Sequence, residues 1–320
     1  MQPTTRHPTV SVLTRIPLAA LLVASGWLTA GCRKPSSSAE GNGKRRVVCT
    51  IGMITDVAGI VGGDRTVVVG LMGPGVDPHG YAASPADMRE MSRADLILYN
   101  GLFLEGRLAE QFERLAARRP TVAVTDGIDR ALLRAPPDFA GQYDPHVWFD
   151  VSLWAKATER IRDALIEVDP AGRAEYEQNA AAYLEQLSAL HEETRARIAE
   201  IPRDNRVLVT AHDAFGYFGR AYDIEVRGLQ GISTESEASL RDVNELVDTL
   251  VSRRIKAIFV ESSVPRRNME ALITGCRARG HQVRIGGELY SDAMGPPGTP
   301  EGTYIGMVRH NVHTIVDALR

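Results

Sequence analysis

The chain has 320 residues, of which 44% are hydrophobic and 24% charged, with 29 glycines and 17 prolines. That composition is globular, and the length suffices for two ordinary domains, each with its own core. A formal net charge of −3 weighs against a nucleic-acid partner, which needs a basic face to neutralise phosphates.

Residues 1–31 read differently from the remainder. They carry Arg6 and Arg15, no acidic residue, and an apolar run from Ile16 to Gly31. The run is too short to span a bilayer comfortably, which is the pattern of an export signal peptide. It ends in LTAGC, which resembles a bacterial lipobox with its leucine, Leu28, one position early. Cys32 is then the lipidated first residue of the mature chain, with cleavage to a soluble export product as the alternative. Without the leader the net charge is −5. Residues 32–45 are polar, rich in serine and glycine, and read as a flexible tether. Export implies an oxidising compartment. Even so, Cys49 falls in a predicted strand and Cys276 in a predicted helix, where each is expected to be a small buried core residue.

The folded part opens with an apolar strand, Val47–Ile51, a helical segment, then Gly62-Gly63-Asp64 and a second strand over 66–72. Residues 94–101 and 120–127 are short apolar runs closed by Asn-Gly and Asp-Gly. Between them, 103–118 has helical spacing, with Leu104, Leu108, Phe112 and Leu115 on one face. This rhythm predicts βα units around a mostly parallel sheet. The glycines near 52, 62 and 63 do not form G-x-G-x-x-G, so no dinucleotide loop is expected. Residues 171–201 give one uninterrupted helical pattern through Leu184, Leu187, His191, Thr194, Ile198 and Ile201, a rod of about 45 Å. A hinge would be written with glycine and serine; this is a strut. Beyond it the strand–helix alternation resumes. It includes a helix over 234–255 with Thr234…Glu237 at capping-box spacing and Leu240, Val243, Val247 and Leu250 as its stripe. The predicted fold is α/β. Two lobes, 46–168 and 203–320, each hold a mostly parallel sheet flanked by helices, and one long rigid helix over 169–202 joins them.

Asp-Pro-His occurs twice, at 77–79 and 144–146. Proline holds φ at about −65° and biases its predecessor toward extended backbone, so each histidine sits on a stiff loop. Of the other histidines, His7 lies in the leader, and His191 begins HEETR, which lacks the second histidine of a zinc-protease pattern. His281, His310 and His313 read as surface or packing residues. His79, His146 and His212 each follow a predicted strand or open a helix. In open α/β sheets, ligands bind beyond the carboxyl ends of the strands.

In order along the chain, GPGVDPHGYAASPADM, DPHVWFDV, VTAHDAFGYFGRAYDI, GISTESEASLRDV, FVESSVPRRNMEALI, and LYSDAMG followed by GTYIGMVRHNV resemble the zinc/manganese-binding solute receptors of bacterial ABC importers, the cluster A-I lipoproteins. The resemblance spans essentially the whole mature chain. It implies one divalent cation held between two lobes by His79, His146, His212 and Asp292, and delivery of that ion to a membrane permease by a monomeric, membrane-anchored receptor. Three imidazoles and one carboxylate fill a tetrahedral zinc-like coordination and leave no open position for catalysis. The nitrogen-rich set tilts toward Zn2+, while residues 113–145 lack the histidine-rich loop of many zinc-specific relatives, so Mn2+ stays open and Fe2+ ranks third. Ligating imidazoles usually donate their other N–H to a carboxylate; Asp77, Asp144, Asp213 and Glu261 are candidates. Asp150 serves equally well as a helix cap. An exported metallohydrolase and a surface adhesin with a structural metal are the alternative classes.

Overall fold

The computed structural model describes residues 43–139 and 141–320. The expected signal peptide, Cys32 and most of the tether lie outside the described residues. Among the described residues, no helix is long and apolar enough to cross a membrane.

The first half contains β1 (Arg45–Cys49), α1 (Gly52–Gly62), β2 (Thr66–Gly70), α2 (Pro85–Arg93), β3 (Leu96–Tyr99), α3 (Ala109–Ala116) and β4 (Thr121–Ala123). Its sheet runs β2-β1-β3-β4 and every pairing is parallel. Val47, Val48, Leu96, Ile97 and Leu98 are wholly buried, the continuous apolar run of strands covered on both faces. Then come α4 (Val151–Val168) and α5 (Arg173–Ala199).

The second half contains β5 (Val207–His212), α6 (Gly216–Tyr222), β6 (Glu225–Gln230), α7 (Leu240–Ser252), β7 (Ala257–Glu261), α8 (Arg267–Ala278), β8 (Arg284–Leu289) and α9 (Tyr304–Leu319). Here β5 pairs with β6 and β7 with β8, again in parallel, and β5 lies beside β7. Successive strand residues face opposite sides. Leu208 and Phe259 therefore join the core shared with the first half, while Val207, Val209, Ile258 and Val260 join a second core beneath α7 and α8.

The joining helix α5 is continuous over 27 residues. Its buried face is Tyr176, Ala180, Tyr183, Leu187, Leu190, Thr194 and Ile198, spaced three and four apart as helix geometry demands. Leu184 and His191, expected on that stripe, are only half-buried, because the two tyrosines rather than the leucine set its register. The helix packs on α1, α4, α6 and α9. Burial of each large side chain contributes roughly 1.5–3 kcal/mol, so this strut is fixed along its length.

The expected start of α7 is corrected. The helix begins at Leu240, capped by Ser239, whose hydroxyl accepts the Asp242 N–H while the Asp242 carboxylate accepts the Ser239 N–H. Thr234 lies outside it, its hydroxyl donating to Asp77. Leu240, expected in the apolar stripe, is 83% exposed; Leu246, Val247 and Leu250 carry the buried face. Cys49 and Cys276 are buried free thiols.

Candidate metal centre

Both Asp-Pro-His segments fold as the same small device. The Asp77 carboxylate accepts the backbone N–H of His79 at 2.9 Å, and that of Asp144 accepts the N–H of His146 at 3.0 Å. An aspartate bonding two residues onward, with a proline fixing the residue between, is an Asx turn that aims the histidine. His79 lies between β2 and α2, His146 in the connection from β4 to α4, His212 at the last position of β5, and Asp292 just after β8. All four thus follow carboxyl ends of parallel strands, where such sheets place their ligands.

The four side chains meet. One ligand atom from each lies within 4.8 Å of every other. His79 Nε2 is 3.2 Å from His146 Nε2, His146 Nε2 is 3.4 Å from Asp292 Oδ1, and His212 Nε2 is 3.2 Å from Asp292 Oδ2. Ligands about 2.0–2.1 Å from a tetrahedral ion stand roughly 3.3 Å apart, so the separations match that edge. His146 and His212 are 0% exposed, Asp292 1% and His79 4%, which makes His79 the candidate ligand nearest solvent. His212 Nε2 and both Asp292 oxygens are buried without a hydrogen bond. Their closest pairs lie within ion-pair distance but are misaligned for one. Buried polar atoms left without partners are costly, and a cation among them removes that cost.

The outer nitrogens are fixed. His146 Nδ1 lies 2.8 Å from Asp144 Oδ1, and His212 Nδ1 lies 2.5 Å from Glu261 Oε2. The other Glu261 oxygen accepts the His212 backbone N–H at 2.9 Å. Each carboxylate therefore grips a histidine by main chain and ring together and leaves Nε2 facing inward as an acceptor. Burial alone would lower the His146 pKa, but Asp144 and Asp292 outweigh it and push it up to about 9. His212 moves the same way: burial opposes, and Glu261 and Asp292 carry it well above the ordinary imidazole value. His79 has no carboxylate on its ring, and burial lowers it to about 3. Burial favours a neutral Asp292, yet His212 and His146 hold it well below the ordinary carboxylate range.

A family model described as zinc-uptake complex component A, periplasmic (ZnuA) matches residues 47–318. The chain belongs to the ZnuA family. ZnuA-type relatives include the zinc-binding protein TroA of Treponema pallidum, 48% identical over 94% of this chain and 98% of the relative. The manganese-binding lipoprotein MntA of Bacillus subtilis is 45% identical over 95% and 98%. The solved structure of the periplasmic zinc-binding protein TroA from T. pallidum superposes with a TM-score of 0.85 at 49% identity, covering 87% of this chain and 99% of that one.

Within this ZnuA-family chain, two of the four acids expected on imidazole N–H groups go elsewhere. Asp77 accepts only the His79 main-chain N–H and the Thr234 hydroxyl. Asp213 makes no side-chain hydrogen bond to any candidate ligand; it points from the end of β5 into a polar cleft beside β6 and α7, and burial raises its pKa. Asp150 caps α4 through the Ser152 N–H at 3.0 Å. The remaining described histidines face elsewhere: His191 bonds to the Tyr222 hydroxyl, His281 to the Ile255 carbonyl and His310 to that of Glu288, and His313 Nε2 lies 3.2 Å from an Asp317 oxygen.

Sequence reasoning missed Trp148. Its indole N–H donates to the Ser291 carbonyl at 3.0 Å, while the Tyr304 hydroxyl donates to the Trp148 carbonyl at 2.7 Å. The segment bearing Asp292 is thereby tied to the segment bearing His146. The available signal was a tryptophan two residues past a candidate ligand, since a buried indole N–H needs an acceptor.

Proposed function

We propose that this protein is the extracytoplasmic receptor of a metal ABC importer. It captures one divalent transition-metal ion, Zn2+ or Mn2+, through His79, His146, His212 and Asp292 and hands it to the membrane permease. A lipid on Cys32 anchors it outside the cytoplasmic membrane, it works as a monomer, and the ion is cargo rather than a catalytic group. The observation that carries this reading is the buried convergence of three inward-facing imidazole nitrogens on a carboxylate with both oxygens unpartnered. Intrinsic affinity at such a nitrogen-rich set favours zinc over manganese. Neither the metallohydrolase nor the adhesin reading has an observation in its favour; the acids beside the imidazoles, Asp144 and Glu261, are both engaged in orienting them.

The test strips the mature protein and offers it zinc, manganese and ferrous iron in competition, beside a His79→Ala/His212→Ala double variant. Elemental analysis is expected to find one equivalent in the parent and none in the variant, and the same experiment ranks the metals. Metal retained by the variant, or bound by neither protein, rejects the reading.

A further inference from the structure

Both orienting carboxylates hold a histidine by ring and main chain, and they differ in what else they touch. The Glu261 carboxylate has no hydrogen-bond partner apart from His212 among the described residues. Asp144 has one: its second oxygen receives the guanidinium of Arg134. Of the five carboxylates Asp77, Asp144, Asp213, Asp292 and Glu261, only Asp144 is hydrogen-bonded to an arginine among the described residues, and that arginine is Arg134. Its place is built by both halves of the molecule. A Cβ on Gly216 would meet Arg134 Nη1 at 1.3 Å, so only glycine there admits the side chain. The Tyr217 ring centroid lies 5.7 Å from the guanidinium carbon. The Tyr217 hydroxyl accepts the Arg134 main-chain N–H at 3.0 Å and donates to the Asp144 carbonyl at 2.9 Å. The Arg134 side chain is 25% exposed, whereas Asp144 and His146 are fully buried.

Resting on the receptor reading above, we propose that Arg134 is a positioning residue that, through Asp144, keeps the His146 arm of the site weak enough to exchange its metal. A carboxylate on the outer N–H of an imidazole makes it a better donor to a metal. Sharing that carboxylate with a guanidinium withdraws part of its charge from the His146 ring, whereas the Glu261 carboxylate serves His212 alone. Arg134 also places a permanent positive charge beside a site meant for a dication, with the wholly buried Asp144 and His146 between them, so solvent screens it only in part. Both effects loosen the ion. A receptor must surrender its cargo, and Arg134 grades the donors so that one arm yields before the other.

The test compares Arg134→Met, which removes charge and hydrogen bond, with Arg134→Gln, a shorter neutral side chain that keeps amide donors, and Arg134→Lys, which keeps the charge. Each zinc-loaded protein is mixed with excess chelator and the release rate measured, with stoichiometry and metal-free melting temperature recorded alongside. Met and Gln variants are expected to hold one equivalent and release it about tenfold more slowly, within the range that partners of ligating residues command; Lys is expected to restore fast release. Faster release in the Met and Gln variants, or rates within about twofold of the parent, overturn the proposal, since a merely structural residue loosens its site when removed. Absence of metal from the parent protein itself rejects the receptor reading instead and is seen before any variant is compared.

Discussion

His146 and His212 each stand between two carboxylates, one on either ring nitrogen, and this fixes how the protein responds to pH. Without metal, His146 titrates near pH 9 rather than at its ordinary 6.5, and His212 shifts in the same direction. From pH 6.5 to about 9 the folded metal-free protein therefore holds protons that the unfolded chain has lost. That contribution to stability is complete below pH 6.5 and disappears as pH rises through about 9. Metal binding displaces these protons, whereas His79, already neutral, has none to give. Calorimetry of zinc binding at pH 7 in two buffers of different ionisation enthalpy is expected to report net proton release. The metal-free melting temperature is expected to fall between pH 7 and 9.5 while the increment due to metal grows. A binding enthalpy independent of buffer rejects this protonation scheme. His79 and His146 were legible in the sequence because Asp-Pro-His is a local device, in which the aspartate two residues back and the proline between fix the histidine's aim without distant help; His212 showed only as a histidine at a strand end, and Asp292 only through the family resemblance. The outer face was only half legible. Glu261 reaches His212 from a neighbouring strand and Arg134 reaches Asp144 from a long connection, and no local spacing encodes those approaches.

Between β3 and α3 the chain does something its sequence does not advertise. Gly101, Leu102 and Phe103 have φ of 88°, 51° and 68°, three consecutive left-handed residues of which only the first is glycine. Glu105 holds the turn: its carboxylate accepts the N–H groups of Asn100 and Gly101 and the Thr50 hydroxyl. Left-handed backbone costs an L-residue roughly 1–2 kcal/mol. Phe103 is 61% exposed, so its ring recovers little of that by burial. Phe103→Gly removes the penalty and adds a glycine entropy cost of roughly 0.5–1 kcal/mol. The net expectation is a gain of about 0.5–1 kcal/mol, or about 1–3 °C in melting temperature for a protein of this size. A lower melting temperature would mean that the ring's contact with Gly106 outweighs the strain. Periodicity found the strands and long helices here because burial on one face writes itself at spacings of two or 3.6. It failed where tertiary bonds overrode local preference. At 101–103 the Glu105 carboxylate, anchored by the distant Thr50 hydroxyl, holds the backbone through the Asn100 and Gly101 N–H groups, and at 234 a threonine with capping-box spacing spends its hydroxyl on Asp77 while Ser239 caps α7 instead.

At the scale of the whole molecule, the candidate ligands are separate from what holds the fold together. The larger core runs from β1 and β3 through α1, α4, α5 and α9 into β5 and β7, and the four candidate ligands sit at or beyond the strand ends. The metal-free protein is therefore expected to stay folded, with metal adding stability by mass action, about 2.7 kcal/mol at a hundredfold excess over Kd. The same layout decides where motion can occur. Opening by a wide hinge would have to bend α5 or peel it from α1, α4, α6 and α9, exposing Tyr176, Tyr183, Leu187 and Leu190, all now at most 2% exposed. At roughly 1.5–3 kcal/mol for each such side chain, that costs more than local movement of the segments carrying His79 and Asp292. The first of these segments is tied across the molecule by Asp77 and Thr234, the second by Trp148 and Ser291, and a few hydrogen bonds at about 1 kcal/mol each can be exchanged. Hydrogen exchange compared with and without zinc is expected to slow at residues 76–84 and 288–298 and to stay unchanged along 173–199. Faster exchange along α5 in the metal-free protein would mean that the strut itself opens, and unchanged exchange in both ligand segments would mean that release takes another route.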